Sequence, residues 1–421
     1  MLRDVVRDLA STNERRVVAS CERLVDVVEQ RELEPREIAD LALSIASSGI
    51  ALSLDARNSA LADVPSSGAP GSLSTLLCPY LLVACGVRVP KISASGSVAG
   101  GIDTLAMLPG FRAELDDQEA ASLLDRVGIF HTLQSPRLCP ADRVLVDVRR
   151  RRAMMANPSL AAVSLLSKKL AVRGTHAVFD FRVGSEGNIG VDFPEARHAA
   201  RLLLRAASEL RLSVAVVLTD NRSSPTTAIG RLESLRLLWE ALSGSLTAGL
   251  DLRHVEVCVE LAARAVALAR EQAFTAKQVA EVAEGLASGR AMNAFIQHVA
   301  AQGAATDPGR FVADALSAQT VELVTSDEEG LWFPPPLGDL KKFAKDRSRA
   351  GDPGIGYRCV VMPGAQVSRN QPVAQVRSKI PLALPPGLRG ATVAGAFQYL
   401  DAEVVGANYV ATDDGSMDAG V

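Results

Sequence analysis

PADRVLVDVRRRRAMMANPSLAAVSLLSKKLAVRGTHAVFDFRVGSEGN, Pro140 to Asn188, sets two helical stretches directly ahead of a strand. PADRVLVDVRRRR and ANPSLAAVSLLSKKLAVRG read as the helices. HAVFDFRVG is apolar and rich in β-formers, as a central strand covered on both faces requires. Downstream, amphipathic helices between Phe193 and Thr320 alternate with one more strand, LSVAVVLTD from Leu212 to Asp220. Upstream, VRVPKIS and GIFHTLQ read as short strands separated by the helical DDQEAASLLDRV. Strands alternating with helices make an α/β sheet with helices packed on it.

The first 62 or so residues read as helices. ELEPREIADLALSIASSGIALS places Ile38, Leu41, Leu43 and Ile45 at helical spacing, with Pro35 in the first turn, where its missing N–H costs nothing. LSTLLCPYLLVACG reads as a buried helix, interrupted or opened near Pro79. FPPPLGDLKKFAKDRSRAGDPG, Phe333 to Gly354, shifts to proline, glycine and charge and reads as a boundary or exposed connection. YRCVVMPGAQVSRNQPVAQVRS then has the patterning of a small β-rich terminal lobe.

Composition narrows the function. The 421 residues are 48% hydrophobic and 22% charged, which suits a globular chain of two or three domains. A net charge of −3 gives no general attraction to nucleic acid or anionic membrane, and 4% aromatic content leaves few stacking platforms for single strands. No apolar run is long enough for a transmembrane span, and the amphipathic N-terminus does not resemble a signal peptide. Six cysteines without CxxC spacing read as buried reduced thiols, and five histidines without paired spacing give no metal site. The expected location is the cytoplasm.

Several motifs in order carry a resemblance. LLVACGVRVPKIS (Leu81 to Ser93), LPGF (Leu108 to Phe111), the SLLSKKLA run and GTHAVFDFRVGSEGN resemble the thymidine and pyrimidine-nucleoside phosphorylase family; LTDN (Leu218 to Asn221) and GRLESL (Gly230 to Leu235) are similar to its later motifs. That family cleaves a nucleoside with phosphate to a free base and a sugar 1-phosphate. The resemblance implies an α/β fold with a small all-helical domain and a larger α/β domain with a mixed sheet, followed by the β-rich C-terminal lobe. The implied division is helical residues 1–65 and 140–172, α/β residues 66–139 and 173–335, and a lobe from 336 to 421. It also implies a homodimer; the N-terminal helices, apolar on one face, are the expected surface.

The resemblance places the pyrimidine base on Arg149, Ser164 and Lys168, with Arg149 and Lys168 as the catalytic pair. Ser164 and Lys168, at i and i+4, share a helix face. Breaking the glycosidic bond leaves negative charge on the departing ring, and cationic and hydroxyl donors aimed at its carbonyls and N3 stabilise that anion. An arginine fork fixes the base edge in two directions, and a lysine supplies a compact charge. Taken without the resemblance, RRRR at Arg149 to Arg152 also reads as a solvated basic face. A family tyrosine three residues before Arg149 is Val146 here, so one base contact is missing.

The acceptor side departs further. Where the family loop reads lysine, histidine, serine, threonine, glycine, glycine, this chain has Val64, Pro65, Ser66, Ser67, Gly68 and Ala69. Val64 replaces the lysine that neutralises phosphate, and Pro65 and Pro70 remove backbone donors. In the second loop, SASGSVAGGIDTLAM, a phosphate-binding threonine aligns with Val98. In the third segment, Arg182 replaces a lysine and Glu186 adds a carboxylate. The candidate anion-binding residues are therefore Ser66, Ser67, Gly68, Ser95, Ser97 and Arg182. Asp103, Glu186 and Asp220 are the carboxylates that could activate a nucleophile. Each charge-assisted hydrogen bond is worth about 1.5–3 kcal/mol, so losing several argues against efficient use of free phosphate. The expected activity is action on the N-glycosidic bond of a pyrimidine nucleoside or nucleotide, with water, a second base or differently bound phosphate as acceptor. A catalytically silent nucleoside binder and a true phosphorylase with shifted phosphate ligands stay open. No organic cofactor or metal is expected, and phosphate is the candidate cosubstrate.

Overall fold

The strand expected at HAVFDFRVG lies at the centre of the molecule. The computed structural model describes residues 2–392 apart from 12, 51, 53–60, 69, 70, 72, 99, 188, 222–225, 382–384, 386 and 387, together with the backbone of 393, 408–411 and 417–420. Three helices open the chain: α1 (Leu2–Leu9), α2 (Glu14–Gln30) and α3 (Pro35–Ala46). Pro35 is the first residue of α3, and Glu34 and Glu37 close a reciprocal capping box at its start. A short strand β1 (Ala62–Asp63), helix α4 (Ser74–Ala84) and strand β2 (Val89–Ser93) follow. Next come α5 (Gly101–Leu105), α6 (Asp117–Val127), β3 (Ile129–Leu133), α7 (Pro140–Arg151), α8 (Pro158–Ala171) and β4 (His176–Val183).

Helix α4 runs unbroken through Pro79, where the sequence suggests an interruption. A proline beyond the first turn removes one helical hydrogen bond, and here both sides of the residue stay helical and Pro79 is buried. Burial of Leu76, Leu77, Tyr80, Leu81 and Leu82 in one apolar core offsets that loss.

Beyond β4 come α9 (Phe193–Glu209), β5 (Ser213–Asp220), β6 (Ala228–Ile229) and the helices α10 (Arg231–Ser243), α11 (Gly249–Ala269), α12 (Ala276–Ala287), α13 (Arg290–Ala301) and α14 (Pro308–Ser317). The main sheet has β1, β4 and β5 side by side and parallel, with β4 and β5 paired from His176 and Ser213 to Val183 and Asp220. β2 and β3 pair in parallel and join this sheet through a bridge between Leu61 and Arg88. Period-two alternation gives β4 and β5 two buried faces. Ala177, Phe179, Phe181, Val183, Val214, Val216 and Leu218 share a core with α9 and with the helical layer α1–α3, α7 and α8. Val178 and Val217 face α4, α10, α11 and α13. The polar residues Asp180, Arg182, Thr219 and Asn221 continue that second face toward the carboxyl ends of the strands.

The C-terminal region contains β7 (Thr320–Thr325), β8 (Gly330–Phe333), α15 (Leu337–Arg349), β9 (Gly356–Cys359), β10 (Ala365–Val367), β11 (Pro372–Ser378) and β12 (Ala391–Val393). Two antiparallel sheets, ordered β6-β9-β11-β7 and β10-β8-β12, make it the β-rich lobe expected. Strands β6, β7 and β8, which precede residue 336, belong to these sheets as well. The stretch read as a connection folds instead into α15, with Leu337, Leu340 and Ala344 buried on one face. The backbones of β13 (Asn408–Ala411) and β14 (Met417–Gly420) extend the main sheet antiparallel from β5, which makes that sheet mixed.

Candidate functional site

The residues expected to hold the base are set by the turn between α7 and α8. Ala153 takes a positive φ of 54°, Asn157 caps α8 by accepting from the Leu160 N–H at 3.0 Å, and Pro158 opens that helix. The turn brings two carbonyls back onto Arg149, whose Nη2 donates to Met155 O at 2.6 Å and whose Nε donates to Met154 O at 3.5 Å. Arg149 is buried, and burial lowers its pKa to about 10, so it remains a cation at neutral pH. The other members of the arginine run behave as a solvated face. Arg150 pairs with Asp147, Arg151 with Glu22, and Arg152 with Glu22, Asp26 and Glu29.

One helical turn apart on α8, Lys168 Nζ donates to Ser164 Oγ at 2.6 Å. The same ammonium donates at 2.8 Å to Asp142 Oδ2, in the first turn of α7, and Gln134 Nε2 donates to that oxygen as well. Asp142 Oδ1 is buried without a partner among the described residues. The structure thus brings Ser164 and Lys168 into one buried chain with Asp142, while Arg149 is anchored separately at the far end of α7. Sequence reasoning misses Asp142 and Gln134. An aspartate in a first helical turn is ordinary, and only tertiary packing puts it against a lysine. Val146 is buried on α7 and offers no hydrogen bond.

On the expected acceptor side, the loop after β1 is knitted to β4. Asp180 N donates to Pro65 O and Ser67 N donates to Asp180 O, both at 2.9 Å. Ser67 Oγ accepts from Arg182 N at 2.9 Å, and Ser66 Oγ accepts from Gly68 N at 3.2 Å. The backbone donors that could cradle an anion at Ser67 and Gly68 are therefore spent within the fold. Val64 is fully buried in the apolar core beside α4. In the second loop, Gly96 N and Ser97 N both donate to Asp103 at 3.0 Å, and Arg231 Nε donates to Ser97 O at 3.0 Å. Asp103 thus ties down this loop, and Ser95 is exposed. Val98 packs into the core of the C-terminal lobe with Leu337 and Leu340.

Arg182 lies on β4 with no exposure. Its Nη1 makes long hydrogen bonds, 3.4 Å each, to Asp180 Oδ2 and Thr219 Oγ1. Its Nε and Nη2, the edge that forks onto a carboxylate or phosphate, have no partner among the described residues. Asp180 also accepts from Ser74 Oγ and Thr219 Oγ1, each at 2.5 Å. Both side-chain polar atoms of Asn221, just past the end of β5, are likewise buried and have no partner among the described residues. In parallel sheets, ligands bind beyond the carboxyl ends of strands, which is where Arg182 and Asn221 sit.

A second charged group joins the two sides. Asp63 of β1 receives Lys91 Nζ at 2.8 Å and Lys169 Nζ from α8, and all three side chains are buried. Burial alone would raise the pKa of Asp63, but the two ammonium groups outweigh it and hold the carboxyl well below the usual range. Adjacent lysines on α8 thereby hold one carboxylate in the helical layer, Asp142, and one at the root of the acceptor loop, Asp63. Burial first, then the neighbouring charge of Lys91, keeps His131 neutral, and Ser93 Oγ lies 2.8 Å from its Nε2. Among the described residues, no group of three or more His, Cys, Asp or Glu side chains is placed to hold a metal ion. All six cysteines are buried and unpaired.

No protein-family model matches the chain. Its sequence is 28% identical over 358 residues to the thymidine phosphorylase of Agrobacterium fabrum, covering 83% of this chain and 81% of that protein. It is 29% identical over 380 residues to human thymidine phosphorylase, covering 85% and 77%. Against the pyrimidine-nucleoside phosphorylase of Bacillus subtilis it is 27% identical over 275 residues, covering 65% and 62%. Among solved structures it is similar to anthranilate phosphoribosyltransferase from Thermus thermophilus, with a TM-score of 0.56 and 18% identity over 72% of this chain and 94% of that one. The anthranilate phosphoribosyltransferase of Saccharomyces cerevisiae in complex with PRPP and Mg gives a TM-score of 0.51 at 15% identity, covering 71% and 90%. These structural likenesses show the fold alone, a helical layer joined to an α/β sheet. Sequence relatives 27–29% identical to it span most of its length and support its reading as a divergent member of the thymidine and pyrimidine-nucleoside phosphorylase family.

Proposed function

We propose that this protein is a pentosyl-transferring enzyme that acts on the N-glycosidic bond of a pyrimidine nucleoside or nucleotide, with an acceptor site unlike that of its relatives. The observation that carries this reading is the contrast between the two sides of the site. On the base side, Ser164 and Lys168 form a buried hydrogen-bonded chain backed by Asp142, with the buried cation Arg149 on the neighbouring helix. On the acceptor side, Val64 is sealed in the core and the loop donors at Ser67 and Gly68 are consumed internally.

In this reading the ring carbonyls and N3 of the base face Lys168, Ser164 and Arg149. As the glycosidic bond breaks, electrons pass to the ring and the sugar becomes cationic at its anomeric carbon. The lysine and arginine charges lower the energy of the departing pyrimidine anion. Asp142 holds the Lys168 ammonium in orientation inside a low-dielectric site, where such hydrogen bonds are strengthened. The acceptor then attacks the anomeric carbon from the side where Arg182 lies. A cytoplasmic homodimer belongs to the same reading.

The test is release of free base from a panel of pyrimidine nucleosides and nucleotides, followed chromatographically with and without phosphate. Base release at a rate set by the acceptor supports the proposal. No release from any member, together with tight base binding, would replace it with a catalytically silent binder.

A further inference from the structure

We propose that Lys341, on helix α15 of the C-terminal lobe, is the cation that receives a phosphoryl dianion at the acceptor side, with Glu186 as its counter-ion when no ligand is bound. This rests on the pentosyl-transfer reading above. The loop leaving β4 carries Glu186, whose carboxylate accepts from Lys341 Nζ at 2.9 Å. The pair sits at the edge of the protein: the lysine side chain is 44% exposed and the glutamate 23%. Helix α15 is shaped to this loop, because a Cβ on Gly338 would lie 2.7 Å from Glu186 Oε1. The second loop reaches the same core, which holds Val98 together with Leu337 and Leu340.

Helix α15 therefore meets the loop after β4 and shares a core with the second loop, and an acceptor anion would lie between the two. It brings a lysine to them in a chain whose first loop has Val64 at the position expected for one. Arg182, earlier on the same strand and loop segment as Glu186, supplies a second and independent sign of a ligand. Its guanidinium is fully buried, yet its Nε and Nη2 are unpartnered among the described residues. A lysine held by one displaceable carboxylate suits a dianion better than a neutral acceptor. A half-exposed ion pair is weak, so an incoming phosphoryl group can take the lysine from Glu186 at small cost.

Inorganic phosphate and the phosphoryl group of uridine 5′-monophosphate share this chemistry. Titration calorimetry with each probe, on the full chain and on Lys341→Ala and Glu186→Gln, tests the proposal. Lys341→Ala should weaken binding of the phosphoryl probe by about tenfold or more, as expected for one charge-assisted contact. Glu186→Gln should tighten it, by up to about fivefold, because the competing carboxylate is gone. An ion pair that merely docks the lobe would shift both variants in the same direction, and that result overturns the proposal. Failure of the parent protein to bind either probe overturns it too. Binding of uridine 5′-monophosphate but not phosphate would assign the dianion to the substrate itself, and binding of phosphate alone would assign it to the acceptor. Uracil titrated in parallel should bind all three proteins equally, so loss of uracil binding by the parent would count against the base site and not against Lys341.

Discussion

Replacing Lys168 with methionine keeps the length of the side chain and removes its charge, which probes the proposed base site and the fold together. In the parent, Lys168 Nζ lies 2.8 Å from Asp142 Oδ2 and 2.6 Å from Ser164 Oγ, and both partners are buried. Without the ammonium, Asp142 keeps Gln134 as its side-chain donor, and one of its oxygens already lacks a partner among the described residues. Leaving a buried charge uncompensated costs about 3–5 kcal/mol. That is a large share of the roughly 5–15 kcal/mol that holds a typical domain folded. Adding Asp142→Asn removes the stranded charge, so the double variant should recover most of the lost stability in urea denaturation. Uracil affinity should not recover. The missing charge-assisted bond is worth about 1.5–3 kcal/mol, or about 10–150-fold in Kd by titration calorimetry. If the double variant binds uracil as tightly as the parent, Lys168 is a structural cation and the base-site reasoning fails. If Lys168→Met alone costs under about 1 kcal/mol, the pair is solvated rather than buried.

Three further substitutions test other parts of the site. Asp63→Asn strands two buried ammonium groups and should cost about 3–5 kcal/mol in urea denaturation. The pKa of Asp63 is depressed in the fold, so its stabilisation is complete above the unfolded carboxyl value of 3.8 and is lost as pH falls toward the folded value; the parent should lose this increment on acidification below about pH 4, and the asparagine variant should not. Val64→Lys pushes an ammonium into an apolar core beside α4, where Val64 has no exposure, and should destabilise by about 2–4 kcal/mol without improving phosphate affinity. A rise in phosphate affinity at unchanged stability would mean that the loop is open. Gly338→Ala sits in the first turn of α15 and displaces only the flexible end of Glu186, so thermal stability should hold or rise slightly while binding of a phosphoryl probe tightens.

Much of this architecture is legible in the sequence because it rests on local chemistry. HAVFDFRVG, His176 to Gly184, reads as a buried strand, Pro35 marks the start of α3, and the spacing of Ser164 and Lys168 puts them on one face of α8. Helix α15 is hidden because its proline-rich entry and its lysines mask the apolar positions Leu337, Leu340 and Ala344. Pro79 suggests a break that the surrounding core overrides. The charged groups are least legible of all. Asp63, Lys91 and Lys169 lie on β1, β2 and α8, and nothing in the spacing of these residues shows that they meet. Asp142 likewise looks like a routine helix-start acid until α8 is packed against it. The pairing of Glu186 with Lys341 depends on the C-terminal lobe folding back over the loop after β4, a tertiary fact with no local signal.

The most direct measurement is a crystal structure of the protein with uracil bound. The expected result places the ring carbonyls and N3 within hydrogen-bonding distance of Lys168 Nζ, Ser164 Oγ and the Arg149 guanidinium, between α7 and α8. Uracil held elsewhere, or a Lys168–Asp142 pair that never meets the ring, would contradict the assignment of this site to the pyrimidine base.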